Sequence, residues 1–452
     1  MKNDWQGRKV LVLGLGDTGL ACIRWLSSRG AVIRAADSRA APPGLGEVRS
    51  GYPQVDARAG SLDKTLLEGM DTVVASPGLA LREPVLQAAA RRGIEILGDV
   101  EIFAREVRGG KARVIGITGT NGKSTVTALA GEMCRAAGLD TVVAGNIGLP
   151  VLDALEQGAA ADLYVIELSS YQLETTSSLE LEAAAMLNLT QDHMDRYDSM
   201  ADYARAKQRI FMHAKRRVVN RDDPRSRAMG DADAFSFGLS QPRNGNEWGL
   251  DQPRTHILRG DVEVVDLGDM AITGLHNAAN AMAAHALAST LVLPPRALQQ
   301  AMTGFTGLPH RVELVARAKG VSFYDDSKGT NVGASVAALE GFRERVVLIA
   351  GGDGKGQDFA PLLPAVKAHA RAVVLIGRDA PAIAAALVDA NVALANATSM
   401  QEAVEASYAL AHSGDAVLLS PACASFDMFR NYAHRGDVFA EAARGIADRE
   451  GP

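Results

Sequence analysis

The stretch that decides the fold is Gly116–Thr125, which reads GITGTNGKST. It follows the apolar run ARVI and precedes VTALAGEMCRAAG, which has the residue pattern of a helix. Glycines followed by Lys-Ser between a strand and a helix are typical of a loop that holds nucleotide phosphates. The strict Walker A pattern requires glycine at position 117, where this chain has Ile117. The other functional parts are present, and we predict a nucleoside triphosphate site here.

Each part of this loop has a chemical role. Backbone N–H groups and the helix N-terminus would bind phosphate oxygens. Lys123 would neutralise the β- and γ-phosphates, and the hydroxyl of Ser124 would reach Mg²⁺. The predicted ATP-binding residues of the loop are Gly119, Thr120, Asn121, Gly122, Lys123, Ser124 and Thr125.

Short β-like runs alternate with helical patterns along most of the chain, which predicts an α/β fold with parallel sheets. Polar, Gly-rich or Pro-containing breaks at residues 105–113 and at GLPHR divide it into three tandem domains. We predict a Rossmann-like domain at residues 1–108 and a central P-loop ATPase-like domain with a mostly parallel sheet at residues 109–310. A second Rossmann-like domain is expected at residues 311–452. The stretch Ser236–Arg259 is polar and less regular.

Composition narrows the class of partner. The formal net charge of −6 argues against a general nucleic-acid binder. No apolar run reaches the roughly 18 residues of a membrane span, and the N-terminus lacks the apolar region of a signal peptide. Three scattered cysteines favour a reducing compartment. We therefore expect a cytoplasmic protein without a membrane span.

A glycine fingerprint follows the first predicted strand. GLGDTG places Gly14, Gly16 and Gly19 at the spacing of a dinucleotide-binding turn, and Asp37 ends the next strand. The same pattern fits any ligand with a diphosphate and a ribose, including a UDP-sugar. A glycine turn that only packs helix against strand also remains possible. Together with the phosphate loop, the fingerprint suggests ATP acting on a substrate that carries its own nucleotide.

Three further side chains are candidates for a metal site. Glu167 ends the apolar strand LYVIE, where a carboxylate beside a phosphate loop could hold a metal; a helix cap is the alternative. His193 lies in the turn DHMDRY, where a histidine is more often structural than a ligand. Lys207 flanks the apolar face of a predicted helix, and the residues alone predict a surface lysine.

Nearly the whole chain resembles the Mur ligase family. The resemblance rests on motifs that include LGLGDTGL, ITGTNGKST, ELSSYQLETTSSL, DHMDRY, AKQRIF, GLHNAANAMAA, DDSKGTN, GGDGKGQDF and LLSPACASFDMFRNYAHRG. The last two favour the glutamate-adding branch. The resemblance implies that the carboxylate of UDP-N-acetylmuramoyl-L-alanine attacks the ATP γ-phosphate, and that the amine of D-glutamate then attacks the acyl phosphate. A monomer is expected.

The resemblance also implies residue roles. Catalysis and metal binding would involve Lys123, Ser124, Glu167, His193 and Lys207, with two Mg²⁺ ions and a carbamylated Lys207. Further ATP contacts would come from Asn277, Asn280, Arg311 and Asp326. The UDP-substrate would contact Gly16, Asp17, Thr18, Asp37, Ser38, Ser76, Asn146, Ser169 and Gln172. Glutamate would contact Lys328, Thr330, Lys355, Ser425 and Tyr432.

Other functions remain open at this point. One is a related ligase for another amino acid, including L-glutamate, or an enzyme like folylpolyglutamate synthase, which lacks the leading UDP-type domain. Another is an NAD(P)-dependent oxidoreductase built on GLGDTG, against which the ATP loop counts. A third is a non-catalytic ATP-switched binding protein, against which the pairing of Lys123 with Glu167 counts.

Overall fold

The computed structural model describes residues 5–158 and 161–451 and contains three sheets, one in each third of the chain. The α/β fold class predicted from the alternating pattern is confirmed. Within these residues, no helix has both the length and the apolar character that crossing a membrane would require.

The first sheet is parallel and has the order β3-β2-β1-β4-β5. Its strands are β1 (Lys9–Leu13), β2 (Val32–Asp37), β3 (Asp56–Ala59), β4 (Thr72–Ala75) and β5 (Glu95–Leu97). Its helices are α1 (Asp17–Ser27), α2 (Leu45–Gly51), α3 (Pro84–Arg91) and α4 (Asp99–Val107). This order matches the first five strands of the Rossmann order 3-2-1-4-5-6, and the GLGDTG turn leads from β1 into α1 at the carboxyl ends of the strands.

The second sheet has nine strands in the order β14-β13-β12-β11-β10-β9-β6-β8-β7. The strands are β6 (Arg113–Thr118), β7 (Thr141–Gly145), β8 (Leu163–Glu167), β9 (Leu181–Met186), β10 (Ala214–Asn220), β11 (Phe235–Phe237), β12 (Glu247–Leu250), β13 (His256–Arg259) and β14 (Val262–Asp266). The helices are α5 (Lys123–Ala136), α6 (Val151–Gln157), α7 (Ser170–Glu174), α8 (Met200–Gln208), α9 (Pro224–Arg227), α10 (Leu275–Ala288) and α11 (Pro295–Gly304). The central strands are buried apolar runs because helices cover the sheet.

The third sheet has the order β15-β16-β20-β17-β18-β19, and only the β15–β16 pair is antiparallel among its described strands. The strands are β15 (Glu313–Ala318), β16 (Val321–Asp325), β17 (Val346–Gly351), β18 (Ala370–Ile376), β19 (Ala393–Asn396) and β20 (Ala416–Leu419). The helices are α12 (Val332–Glu340), α13 (Leu362–His369), α14 (Ala380–Ala386), α15 (Met400–Leu410) and α16 (Tyr432–Glu450).

The expectation of an irregular stretch at Ser236–Arg259 is wrong. The segment contributes most of β11, β12 and β13, and with β14 it extends the second sheet by two antiparallel pairings. These strands are only three to five residues long and are separated by polar turns. Such short strands carry too little periodicity to be recognised before the sheet that they extend is known.

Candidate active site

The phosphate loop leaves β6 and enters α5, as the sequence predicts. Gly122 has φ +82° and caps α5, and a Cβ atom there would collide with the side-chain oxygen of Asn280. A second residue, Asn188, braces the loop: the backbone N–H of Asn121 donates to its Oδ1 (2.8 Å), and its Nδ2 donates to the Asn121 carbonyl (3.1 Å). These contacts fix the conformation of the loop, and the N-terminus of α5 that follows it suits an anion.

Beside this loop lies a cavity of about 330 Å³. The second domain lines it with the loop itself and with the two asparagines of α10, where Asn280 Nδ2 donates to Asn277 Oδ1 (3.2 Å). The third domain adds Arg311, Asp326 and Lys328. The structure thus brings together the four additional ATP residues that the resemblance implied, around a space of nucleotide-binding size.

Lys123, the first residue of α5, extends back over the loop, and its Nζ donates to the Thr120 carbonyl (2.8 Å). Burial lowers the pKa of Lys123, while the nearby carboxylates of Glu167 and Asp192 act in the opposite direction. A lysine held here is a cation facing the position where the loop would bind phosphates.

Glu167 ends β8, opposite Ile117 of β6 and Gly145 of β7. It is 2% exposed, and its Oε1 accepts a hydrogen bond from Asn146 Nδ2 (2.9 Å). Its Oε2 has no hydrogen-bond partner among the residues that the structure describes. A buried carboxylate oxygen without a partner is costly unless a cation binds it. The donor set of Glu167 and the Ser124 hydroxyl therefore fits Mg²⁺, which prefers oxygen ligands.

The surface position expected for Lys207 from the residues alone is wrong. Lys207 is 2% exposed, and its Nζ donates to the Gly119 carbonyl (2.7 Å) and to Thr118 Oγ1 (3.2 Å). Tyr203, one turn earlier on α8, lies beside it, with the ring centroid 5.0 Å from Nζ. Burial and the charge of Lys123 lower the pKa of Lys207. Its environment includes the phosphate-loop strand, a neutral ring and the charges of Lys123, Asp192 and Glu167, which helix periodicity could not reveal.

His193 lies in a left-handed turn, with φ +58°. Its backbone N–H donates to Asp192 Oδ1 (2.9 Å), and burial lowers the pKa of the imidazole to about 4. A neutral imidazole is the form that binds metals. The ring packs on Tyr171, with 4.9 Å between centroids.

Two side chains of the third domain form hydrogen bonds with the phosphate loop of the second domain. Arg311 Nη2 donates to Ser124 Oγ (2.7 Å), and Asn331 Nδ2 donates to Asn121 Oδ1 (2.9 Å). Asp326 accepts a hydrogen bond from Ser420 Oγ (2.7 Å), and burial raises its pKa to about 7. The cleft is therefore closed at the phosphate loop.

The residues implied for glutamate lie in three loops of the third domain and at the start of α16. Lys355 has φ +51°, and its Nζ lies 3.8 Å from Asp192 Oδ1, across the domain boundary. Lys328 Nζ lies 3.7 Å from the centroid of the Tyr432 ring. Ser425 is 2% exposed. Thr330 follows Lys328 in its turn, and its backbone N–H donates to the Lys328 carbonyl (2.9 Å).

The residues of the first domain that are implied for the UDP-substrate lie near the β1–α1 turn, whereas Asn146, Ser169 and Gln172 belong to the second domain. Asp37 already has partners within the protein, because its oxygens accept hydrogen bonds from the Leu15 N–H (2.8 Å) and from Arg39 Nη2 (2.7 Å). Those bonds lower the pKa of Asp37 to about 2. Asp17 begins α1 and is exposed, where the positive end of the helix dipole favours an acid. Gly16 directly precedes α1, Thr18 is the second residue of α1, and Ser38 directly follows β2.

Ser169 and Gln172 have a local role that the resemblance did not indicate. They form a capping box at the start of α7, in which the Gln172 N–H donates to Ser169 Oγ (3.1 Å) and the Ser169 N–H donates to Gln172 Oε1 (3.0 Å). Ser76 lies at the end of β4, and its Oγ donates to the Gly14 carbonyl (3.4 Å). No sequence pattern indicated Asn188 or Asn331, whereas Tyr203 could have been found from its spacing of four residues before Lys207.

A phosphate loop that a further α/β domain closes through Arg311 and Asn331 defines a multidomain P-loop enzyme. The chain belongs to the Mur ligase family. Residues 8–98 match the MurD-like N-terminal domain of Mur ligases, residues 117–288 the Mur ligase middle domain, and residues 310–423 the Mur ligase glutamate ligase domain.

Two curated relatives carry the name UDP-N-acetylmuramoylalanine–D-glutamate ligase. The protein of Methylobacillus flagellatus is 54% identical over 98% of both chains. That of Thiobacillus denitrificans is 55% identical over 98% of this chain and 97% of its own. Two solved structures share the fold with a TM-score of 0.61 each. They are a pseudomurein peptide ligase type C from Methanothermus fervidus (19% identical, covering 98% of this chain and 100% of its own) and the UDP-N-acetylmuramate-alanine ligase MurC from Thermotoga maritima (18% identical, covering 98% of both chains).

Proposed function

We propose that this chain is an ATP-dependent ligase that joins D-glutamate to UDP-N-acetylmuramoyl-L-alanine, with ADP and phosphate as the other products. The observation that carries the proposal is the convergence on one phosphate loop of a cationic Lys123, a buried unpartnered oxygen of Glu167 and the Arg311 arm of the third domain. The names of relatives that match over nearly the full chain support the choice of substrates.

The first chemical step is phosphoryl transfer. A carboxylate oxygen of the muramoyl substrate attacks the γ-phosphorus, and ADP leaves with the electrons of the broken P–O bond. Lys123 and Arg311 stabilise the negative charge that spreads over the transferring group. The N–H groups of the loop and of α5 hold the phosphates in line. Asn146, which is bonded to Glu167, orients the muramoyl end of the substrate.

The second step forms the amide. The glutamate amine attacks the carbonyl carbon of the acyl phosphate, a tetrahedral intermediate forms, and phosphate leaves while the nitrogen loses a proton. Lys355, Ser425 and Lys328 bind the glutamate carboxylates, with Thr330 and Tyr432 completing the pocket. Lys355 faces Asp192 at 3.8 Å, which supports its position at the boundary between the two reacting partners.

Metal binding is proposed for two groups of residues. Ser124 and Glu167 would hold one Mg²⁺, and His193 with a carbamylated Lys207 would hold a second. Carbamylation adds the neutral lysine amine to CO₂ and releases one proton, so the neutral amine becomes an anionic carbamate whose oxygens suit Mg²⁺. The low pKa that burial imposes on Lys207 supports a neutral amine. When bound, Mg²⁺ would neutralise charge on the ATP phosphates.

Location and assembly are also proposed. The three described cysteines are buried and free, which supports a reducing compartment such as the cytoplasm, where ATP is available. We also propose that the chain acts as a monomer. The domain boundaries at residues 108 and 310 remain predictions.

The deciding experiment measures phosphate release from ATP with Mg²⁺ and UDP-N-acetylmuramoyl-L-alanine, in the presence of D-glutamate, L-glutamate or no amino acid. We expect release that depends on D-glutamate. Release with L-glutamate instead would retain the mechanism and change the substrate, and no release in any of the three would contradict the proposal. Lys123→Ala is the matched negative control, because it removes the phosphate cation without touching the third domain.

A further inference from the structure

One arginine connects the turn that carries His193 in the second domain to a loop of the first domain. Arg196 lies three residues after His193, in the turn that begins there: the Arg196 N–H donates to the His193 carbonyl (3.0 Å). Its side chain is 10% exposed. The residues that follow β4 in the first domain, 76–79, are named here the substrate loop.

The guanidinium of Arg196 binds the backbone of the substrate loop. It donates to three successive carbonyl oxygens, those of Pro77 (3.4 Å), Gly78 (3.3 Å) and Leu79 (3.0 Å). These bonds join residues more than a hundred positions apart in the chain. A planar guanidinium with five donors can hold several carbonyls at once, which a lysine cannot do.

The other side of the guanidinium faces α7. Arg196 Nη2 donates to Glu174 Oε2 (2.8 Å), and the guanidinium carbon lies 4.4 Å from the centroid of the Tyr171 ring. Tyr171 in turn packs on the His193 ring, at 4.9 Å. The same cation therefore contacts the substrate loop, α7 and the aromatic ring that supports His193.

The substrate loop leads directly to the glycine fingerprint. Ser76 Oγ donates to the Gly14 carbonyl (3.4 Å), and a Cβ atom at Gly14 would lie 2.6 Å from that hydroxyl oxygen. Gly14, with φ +95°, begins the turn between β1 and α1. A continuous set of contacts thus runs from the nucleotide-binding turn of the first domain through Arg196 to His193.

We propose that Arg196 is a positioning residue that holds the substrate loop of the first domain in register with the His193 turn of the second. In this role it aligns the far carboxylate of the UDP-substrate with the γ-phosphate, although it contacts neither reacting atom. The inference rests on the proposed function, because it assumes that the first domain binds the UDP end. The substrate loop belongs to the domain that binds the UDP end, so loss of the contact displaces the UDP-substrate and not ATP. Small misplacements of a reacting group reduce reaction rates strongly.

The test compares Arg196→Gln with Arg82→Gln. Arg82 crosses the same domain junction, where its Nη2 donates to the Asp195 carbonyl (3.0 Å), but its side chain is 60% exposed and it is the matched control. Binding of UDP-N-acetylmuramoyl-L-alanine is measured by calorimetry without ATP, and the KM values of both substrates are measured in the phosphate assay. We expect Arg196→Gln to weaken UDP-substrate binding and raise its KM on the order of tenfold. The KM of ATP should change less than about twofold, with Arg82→Gln near wild type.

Rescue separates positioning from general stability. Added guanidinium should restore part of the activity of Arg196→Ala, and Arg196→Lys should stay impaired because one ammonium cannot bind three carbonyls. Equal KM values for Arg196→Gln and Arg82→Gln, or an equal rise in the KM of ATP, would overturn the inference. Absence of binding by the wild-type chain would instead refute the proposed function. Even if the wild-type chain does not bind the substrate, hydrogen exchange of residues 76–79 tests the role of Arg196. Faster exchange in Arg196→Gln alone supports the positioning role, and equal exchange in both variants overturns that role.

Discussion

Replacing Gly436 with alanine should destabilise the third domain, because this glycine lets α16 pack closely against His310 and Asp325. A Cβ atom at Gly436 would lie 2.5 Å from Asp325 Oδ2 and closer still to His310 Nδ1. Those two atoms already share a hydrogen bond of 2.7 Å, and Asp325 is 1% exposed. The pair therefore has little room to move away from the added methyl group.

The magnitude follows from three contributions. Overpacking a buried site costs about 1–3 kcal/mol. Loss of the His310–Asp325 hydrogen bond adds about 1 kcal/mol. The better helix propensity of alanine offsets about 1 kcal/mol. We expect a net loss of about 1–3 kcal/mol, which corresponds to opening of α16 that is roughly 5- to 150-fold more frequent.

Gly445 is the matched control on the same helix, because a Cβ atom there would meet no other atom within 4 Å. Gly445→Ala should stabilise α16 by about 0.5–1 kcal/mol, through helix propensity alone. The assay is hydrogen exchange of the α16 peptide, Tyr432–Glu450, in the two variants and the wild type. Exchange in Gly436→Ala that is no faster than in Gly445→Ala would refute the close approach of α16 to His310 and Asp325.

Three further predictions concern the second domain and the cleft. Lys207→Ala should lose activity and regain part of it with added short carboxylic acids, which could replace a carbamate; full activity without rescue would remove Lys207 from the metal site. His285, whose Nδ1 accepts a hydrogen bond from Trp248 Nε1 (2.9 Å), has its pKa lowered by burial to about 4. As the pH falls, His285 takes up a proton at a higher pH in the unfolded chain than in the folded chain. The stability that is present above about pH 6.5 should therefore fall by up to about 3 kcal/mol as the pH drops to about 4. His285→Gln should reduce the slope of denaturation midpoint against pH, and an unchanged slope would contradict the assignment. Finally, ATP analogue plus UDP-substrate should change the small-angle scattering profile, because ATP has to enter a cleft that the Arg311–Ser124 hydrogen bond closes in this structure; identical profiles would argue against domain movement.

Several side chains of the candidate site could be predicted from the sequence because their neighbours in the chain create their environment. Glu167 was recognisable as a carboxylate at the end of a buried strand, and β8 does end there. Its unpartnered oxygen was not, because only the packing of β6, β7 and β8 shows what surrounds it. The roles of Lys355 and Ser425 came from the resemblance alone, since a lysine in a glycine-rich turn has no distinctive local pattern.

The sequence by itself determined the phosphate loop and the α/β class. Short-range sterics and hydrogen bonds between adjacent residues govern the backbone conformation at Gly122, the formation of β6 and the start of the helix at Lys123. Only the tertiary structure decided that Lys207 is buried, that Arg196 holds the substrate loop, and that Arg311 reaches across 187 residues to Ser124. Periodicity tells which face of an element is apolar, but the groups that cover that face come from segments far along the chain. The charge state and partners of a side chain depend on those groups, and folding alone brings them together.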